Sequence, residues 1–208
     1  MKPLFLIVII SNFILLSCND NETSKSNESN EYCYYGLTKF KRNDFKGAID
    51  DYTKAFTLDS TNTEAIYMRA LSKSSLGQIK EAIKDYSILI GIDPNDSEAF
   101  CNRGDEKCKL MKFESAFQDY DKAIELNPNE PNFYLNRGAT YMHLHQLENA
   151  VQDFSTCVQL DPNNGGAFYN RGLVNYDLGN KQQACKDWHK ALSLGIPEAQ
   201  LEIEEFCK

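Results

Sequence analysis

The chain has 208 residues, 42% of them hydrophobic and 25% charged, the composition of a protein that folds around an apolar core. Its formal charge of −8 comes from 30 acidic against 22 basic side chains. Nucleic acid is held chiefly by lysines and arginines on phosphates, so this balance, with no basic patch or RNA-binding motif, excludes a nucleic-acid partner and disfavours anionic membrane surfaces.

Lys2 precedes an apolar run from Leu4 to Leu16, broken only by Ser11 and Asn12. As a helix this run covers roughly 20 Å, short of the roughly 30 Å hydrocarbon core, and predicts a signal peptide over 1–17 rather than a permanent span. Its removal takes Lys2 and no acid, leaving 21 basic and 30 acidic residues. The sequence Leu15-Leu16-Ser17-Cys18 resembles the bacterial lipobox, Leu16 being its less usual member. The resemblance implies a lipid on Cys18, which would become the mature N-terminus. It also implies a lipid-anchored membrane protein of the bacterial cell envelope, expected at the outer membrane and facing the periplasm or the exterior. An ordinary signal sequence with an incidental cysteine is the alternative.

Asn19 to Asn30 carries no apolar side chain, so residues 18–28 are expected to be a flexible linker that cannot offset its own ordering entropy. A coil of this length reaches roughly 20 Å. Asp20 and Glu22 behind the cysteine resemble surface-export signals.

From residue 29 the sequence repeats. Pro94, Pro128 and Pro162 recur with a period of 34, which frames repeats at 29–62, 63–96, 97–130, 131–164 and 165–198, with 199–208 left over. Position 8 of each repeat holds Gly36, Ala70, Gly104, Gly138 and Gly172; position 20 is always Ala, from Ala48 to Ala184. Small residues in both columns let two helices approach closely. Position 24 holds Tyr52, Tyr86, Tyr120, Phe154 and Trp188, and position 4 holds Tyr32, Ile66, Phe100, Tyr134 and Phe168, which fill the space between helices. The apolar spacing is helical throughout.

This pattern resembles the tetratricopeptide-repeat (TPR) family over about 170 residues. The resemblance implies an all-α fold, a right-handed superhelical solenoid of five helix-turn-helix repeats with a C-terminal capping helix over 199–208. Arg69, Arg103, Arg137 and Arg171 at position 7, with Asp51, Asp85, Asp119, Asp153 and Asp187 at position 23, are expected to form structural ion pairs between the helices of a repeat. Tyr35 replaces the arginine in the first repeat, so Asp51 needs another partner.

Six cysteines lie beyond Cys18 in an exported chain, where thiols tend to pair. Cys101 and Cys108 sit seven apart on one helix, too far to bridge. Cys185 and Cys207 resemble the ending of exported repeat proteins that carry a cysteine at both places; a disulfide there, or two unpaired thiols, are the open readings. His143, His145 and His189 lack the convergent spacing of a zinc site and read as solvated. No metal, cofactor or catalytic constellation is expected, and the chain reads as a non-enzyme.

The family resemblance also implies a concave surface lined by the first helices. The lysine and asparagine with which some relatives clamp a chaperone carboxylate are missing: position 5 holds Cys33, Tyr67, Cys101, Leu135 and Tyr169. Position 6 instead carries Asn102, Asn136 and Asn170, a row that could bond the backbone of an extended peptide. Tyr67, Leu71, Leu135, Met142, Tyr169, Leu173 and Tyr176 are expected around it, with Asp105 and Asp177 adding acid. The competing reading is that these asparagines bond neighbouring helices. The expected function is therefore an adaptor or scaffold binding a peptide segment of an unidentified cell-envelope protein. Capture of a glycan or peptidoglycan fragment is the alternative, and an enzymatic role is remote.

Overall fold

The computed structural model describes residues 24–208, which are arranged as eleven helices with no strand among them. They fall into two compact bodies, 24–94 and Asn95–Lys208. The first contains α1 (24–41), α2 (Phe45–Leu58), α3 (Thr63–Ser75) and α4 (Ile79–Ile92). The second contains α5 (Ser97–Lys109), α6 (Phe113–Leu126), α7 (Pro131–His143), α8 (Leu147–Leu160), α9 (Gly165–Asp177), α10 (Lys181–Ser193) and α11 (Ala199–Phe206). Each repeat is one pair of these helices, and α11 follows the last pair. The expected fold class, an all-α array of helical hairpins closed by a C-terminal helix, is the one observed.

Helix boundaries follow from local chemistry repeated every 34 residues. Asn62, Asp96 and Asn164 end their loops with side chains that accept from the backbone N–H of Ala65, Ala99 and Ala167, capping α3, α5 and α9. Glu130 does the same for α7 through Asn132, with Pro131 in the first turn. Between the helices of each repeat, position 15 turns through the left-handed region: Asn43 (φ 61°), Gly77 (72°), Met111 (57°), His145 (54°) and Gly179 (82°). Glycine and asparagine take that conformation cheaply, whereas Met111 and His145 are held there by the helices on either side.

The small columns act as contact points. A methyl group added at Gly172 would meet the Trp188 ring at 2.5 Å, and one at Gly104 would meet the Tyr120 ring at 2.9 Å. Trp188, Tyr52, Tyr86, Tyr120 and Phe154 are all buried, each closing the space between its own two helices. In the second body the first helices of successive repeats also touch, α5 against α7 and α7 against α9, so residues at one position of the repeat stand side by side.

The expected linker is shorter than its composition suggested. Helix α1 already includes residues 24–28, and Ser29, at the end of the polar run, is fully buried. Its hydroxyl donates to Ala55 O (2.9 Å) and accepts from Asn62 Nδ2 (2.9 Å), so both hydrogen-bonding roles are satisfied and burial is cheap. Residues 1–23, which include Cys18 and the segment expected to be a signal peptide, lie outside the described residues.

Candidate protein-binding surface

The most regular polar feature joins the two helices of each repeat. Arg69 forks onto Asp85 through Nε (2.9 Å) and Nη2 (2.8 Å), and Arg103–Asp119, Arg137–Asp153 and Arg171–Asp187 repeat the geometry at 2.7–2.9 Å. In the last three pairs the guanidinium also lies over the aromatic ring three residues earlier, Phe100, Tyr134 or Phe168. A second column, not singled out in the sequence, completes the cluster. Lys73 and Lys107, at position 11, reach Asp85 and Asp119 at 2.6 and 2.7 Å. In the first repeat, where Tyr35 stands for arginine, Lys39 from that column takes over the pairing with Asp51 at 2.6 Å. Asn175 occupies the position in the last repeat and its amide lies 3.4 Å from Asp187. Two of the arginines also reach the preceding repeat: Arg137 Nη1 donates to Asp121 Oδ1 at 2.6 Å, and Arg171 Nη1 lies 3.4 Å from Ser155 Oγ.

The asparagine row lies on α5, α7 and α9 of the second body, and all three side chains are half-buried. Asn136 Nδ2 donates to Asp105 Oδ2 (2.9 Å) on the preceding repeat and lies 3.5 Å from Cys101 Sγ. Tyr120 Oη donates to Asp105 Oδ1 (2.6 Å), while Cys108 Sγ sits 3.5 Å from Tyr120 Oη and 3.4 Å from Thr140 Oγ1. Desolvation raises the Asp105 carboxyl to about 6, against the opposing pull of the Tyr120 hydrogen bond and the Lys109 charge. The competing reading of the row therefore holds for the Asn136 donor, which joins two repeats. The Asn170 side chain makes no hydrogen bond among the described residues.

The apolar residues expected around the row fall into separate packing clusters and into both bodies. Leu135 and Met142 pack beside Ala150, Phe154 and Val174, and Tyr67 and Leu71 belong to α3 in the first body. Tyr169, Leu173 and Tyr176 join the cluster around Trp188 that also contains Ile203 and Phe206 of α11. Tyr169 Oη donates to Glu202 Oε1 (3.3 Å), and the Tyr176 ring lies 4.4 Å from that of Phe206. The expected capping helix packs with these three residues, because an aromatic face this large is stabilised by exclusion of water.

Cys185 and Cys207 are joined by a disulfide, their Cα atoms 5.6 Å apart. Cys33, Cys101 and Cys157 are buried free thiols, pushed up by desolvation to about 11, 12 and 11. His143 ends α7 with its ring 5.7 Å from that of Phe113, His145 occupies the left-handed turn, and His189 Nδ1 bonds Cys185 O at 2.7 Å. Among the described residues no group of three His, Cys, Asp or Glu side chains is placed to hold a metal ion.

The helical hairpins, their 34-residue spacing and their small-residue contacts agree with a comparison of the sequence against known families. A TPR repeat model matches residues 104–144, and tetratricopeptide-repeat models match residues 63–96 and 131–164. This is a tetratricopeptide-repeat chain. No curated protein matches its sequence. Among solved structures, the TPR chain is similar to MamA from Desulfovibrio magneticus RS-1, at 18% identity and a TM-score of 0.71 over 80% of this chain and 94% of that one. It is also similar to Pseudomonas aeruginosa PilF, at 18% identity and a TM-score of 0.74 over 83% of this chain and 78% of that one. YrrB, described as a TPR protein with an unusual peptide-binding site, shares 23% identity and a TM-score of 0.64 over 84% of this chain and 90% of that one. These likenesses establish the shared TPR fold.

Proposed function

We propose that this TPR chain is a non-catalytic adaptor, tethered to the bacterial cell envelope by a lipid on Cys18, that holds a peptide segment of another envelope protein along the first helices of its repeats. The observation that carries the reading is the row Asn102, Asn136 and Asn170 on the mutually contacting helices α5, α7 and α9. Amides one repeat apart offer an extended backbone a series of partners without demanding a particular side chain. Asp105, beside the row and partly desolvated, adds a carboxylate that favours a cationic group on the peptide. The peptide-binding site of the similar protein YrrB supports the same use of this fold.

Two measurements test the proposal. Replacing Asn102, Asn136 and Asn170 together by alanine is expected to reduce co-purification of the envelope partner at least tenfold with helical circular dichroism preserved; undiminished capture by the folded variant defeats the groove reading. For the tether, metabolic labelling with an alkynyl fatty acid should mark the wild type and not Cys18→Ala. Equal labelling of the two rules out the lipid at this residue.

A further inference from the structure

We infer that α11 is a redox-latched lid on a helix-binding surface of the last repeat, and that breaking the Cys185–Cys207 bond opens this surface to an amphipathic helix of a partner protein. The inference rests on α9, α10 and α11 and is independent of the asparagine row.

The lid has little intrinsic stability. Helix α11 has eight residues, and isolated helices shorter than about 12 residues are marginal in water. Glu198 makes no side-chain cap at its start, and the chain enters it through Gly195, at φ 88°, and Pro197. Only Ala199 is buried on it, while Leu201 is 70% exposed. Besides the disulfide and the Tyr169–Glu202 hydrogen bond, α11 is held by one apolar stripe, Ala199, Ile203 and Phe206, packed into the cluster of Tyr169, Leu173, Tyr176 and Trp188. The spacing i, i+4, i+7 is that of any amphipathic helix laid on a neighbour. The surface beneath thus already shows the chemistry of its occupant: a helix with a small residue and two large apolar ones on one face, a carboxylate at its edge where Glu202 accepts from Tyr169, and exposed carboxylates such as Glu204 and Glu205. While the main chain holds one end of α11 and the disulfide the other, its local concentration keeps an external helix out, and cleavage leaves it attached at one end only.

The latch is placed where a reductant can reach it. Cys185 and Cys207 line an open cleft of about 650 Å³ together with Lys181, Lys186, His189, Lys208, Gln182 and Phe206. Three lysines, Lys181, Lys186 and Lys208, and no Asp or Glu are among the residues that line this cleft, and positive charge nearby stabilises a thiolate, which quickens its departure from a disulfide. The buried thiols Cys33, Cys101 and Cys157 have the opposite setting: burial disfavours their thiolates. A dithiol is the reductant required. One of its thiolates attacks a sulfur of the Cys185–Cys207 bond, which breaks to give a mixed disulfide and a free thiolate. Its second thiol then displaces the chain. The dithiol leaves as an intramolecular disulfide, having given two electrons and two protons, and Cys185 and Cys207 remain as thiols.

The experiment uses the full chain in three forms: oxidised wild type, dithiol-reduced wild type, and an Ile203→Ala, Phe206→Ala, Cys207→Ser variant whose own lid is weakened while the surface beneath is unaltered. The probe is a fluorescein-labelled peptide of residues 196–208 carrying Cys207→Ser. It should bind the lid-weakened variant at least tenfold more tightly than the oxidised wild type, and amide exchange in 199–206 should rise at least tenfold on reduction, with α5 to α9 unchanged. Lack of peptide binding by a lid-weakened variant that retains wild-type exchange protection in α5 to α9 overturns the helix-binding surface. Unchanged exchange in 199–206 after complete reduction overturns the latch.

Discussion

Asp85→Ala is expected to destabilise the protein by about 3–5 kcal/mol, measured as the loss of unfolding free energy in urea. The carboxylate it removes is almost wholly buried and receives Arg69 Nε and Nη2 at 2.9 and 2.8 Å and Lys73 Nζ at 2.6 Å. Without it, two cations face each other in a space where the Arg69 side chain is 6% exposed. Arg69 keeps the ring of Phe56, 4.5 Å from its guanidinium carbon, but a cation–π contact contributes only about 1–2 kcal/mol and does not neutralise charge. The same residues specify the control. Arg69→Met with Asp85→Leu removes the buried charges as a pair, and Lys73, more exposed at 16%, can reach solvent, so the double variant should regain most of the loss. A cost below about 1 kcal/mol for Asp85→Ala would show that the column does not hold the two helices together.

Trp188→Ala should be of similar size, about 3–5 kcal/mol in the same assay. The ring is fully buried, lies 5.8 Å from Tyr176 and 6.1 Å from Phe206, and occupies the approach that Gly172 leaves open. Its removal leaves a cavity at the junction of α9, α10 and α11. Trp188→Phe should cost less than about 1.5 kcal/mol. The other repeats place tyrosine or phenylalanine at this position, and Trp188 Nε1 has no hydrogen-bond partner among the described residues, so the smaller ring discards an unsatisfied buried donor along with some apolar area. If Phe and Ala proved equally costly, the indole nitrogen rather than the ring would be what matters here.

Much of the fold is legible because a 34-residue period turns each structural need into a column. Glycine or alanine at position 8, alanine at 20 and a large ring at 24 state a helix crossing before any coordinate is known. What escapes is whatever depends on a neighbour's atoms rather than on residue type. The lysines at position 11 were visible as Lys39, Lys73 and Lys107, yet a lysine column ordinarily reads as a solvated face; only packing shows it converging on the aspartates. Met111 and His145 take left-handed turns without the glycine or asparagine that marks such turns elsewhere, because the flanking helices determine the path. Ser29 is buried despite lying in a polar run, since two hydrogen bonds compensate it.

The candidate binding surface was less legible than the fold for the same reason. Tyr169, Leu173 and Tyr176 occupy columns that suit an inner face, but the chain supplies its own helix at that end of the array, and α11 packs against them. Asn136 suits a peptide ladder by type and position, but Asp105 on the neighbouring repeat engages its donor. Of the row, Asn170 is the side chain with no hydrogen bond among the described residues.

The central claim, that a partner lies along the first-helix face, is tested most directly by site-specific photo-crosslinking in cells. A benzoylphenylalanine placed at residue 170 on α9 should capture one envelope protein, while the same probe at the exposed residue Gln152 on α8 should not. Equal capture from residues 170 and 152, or capture from residue 152 alone, would contradict the account.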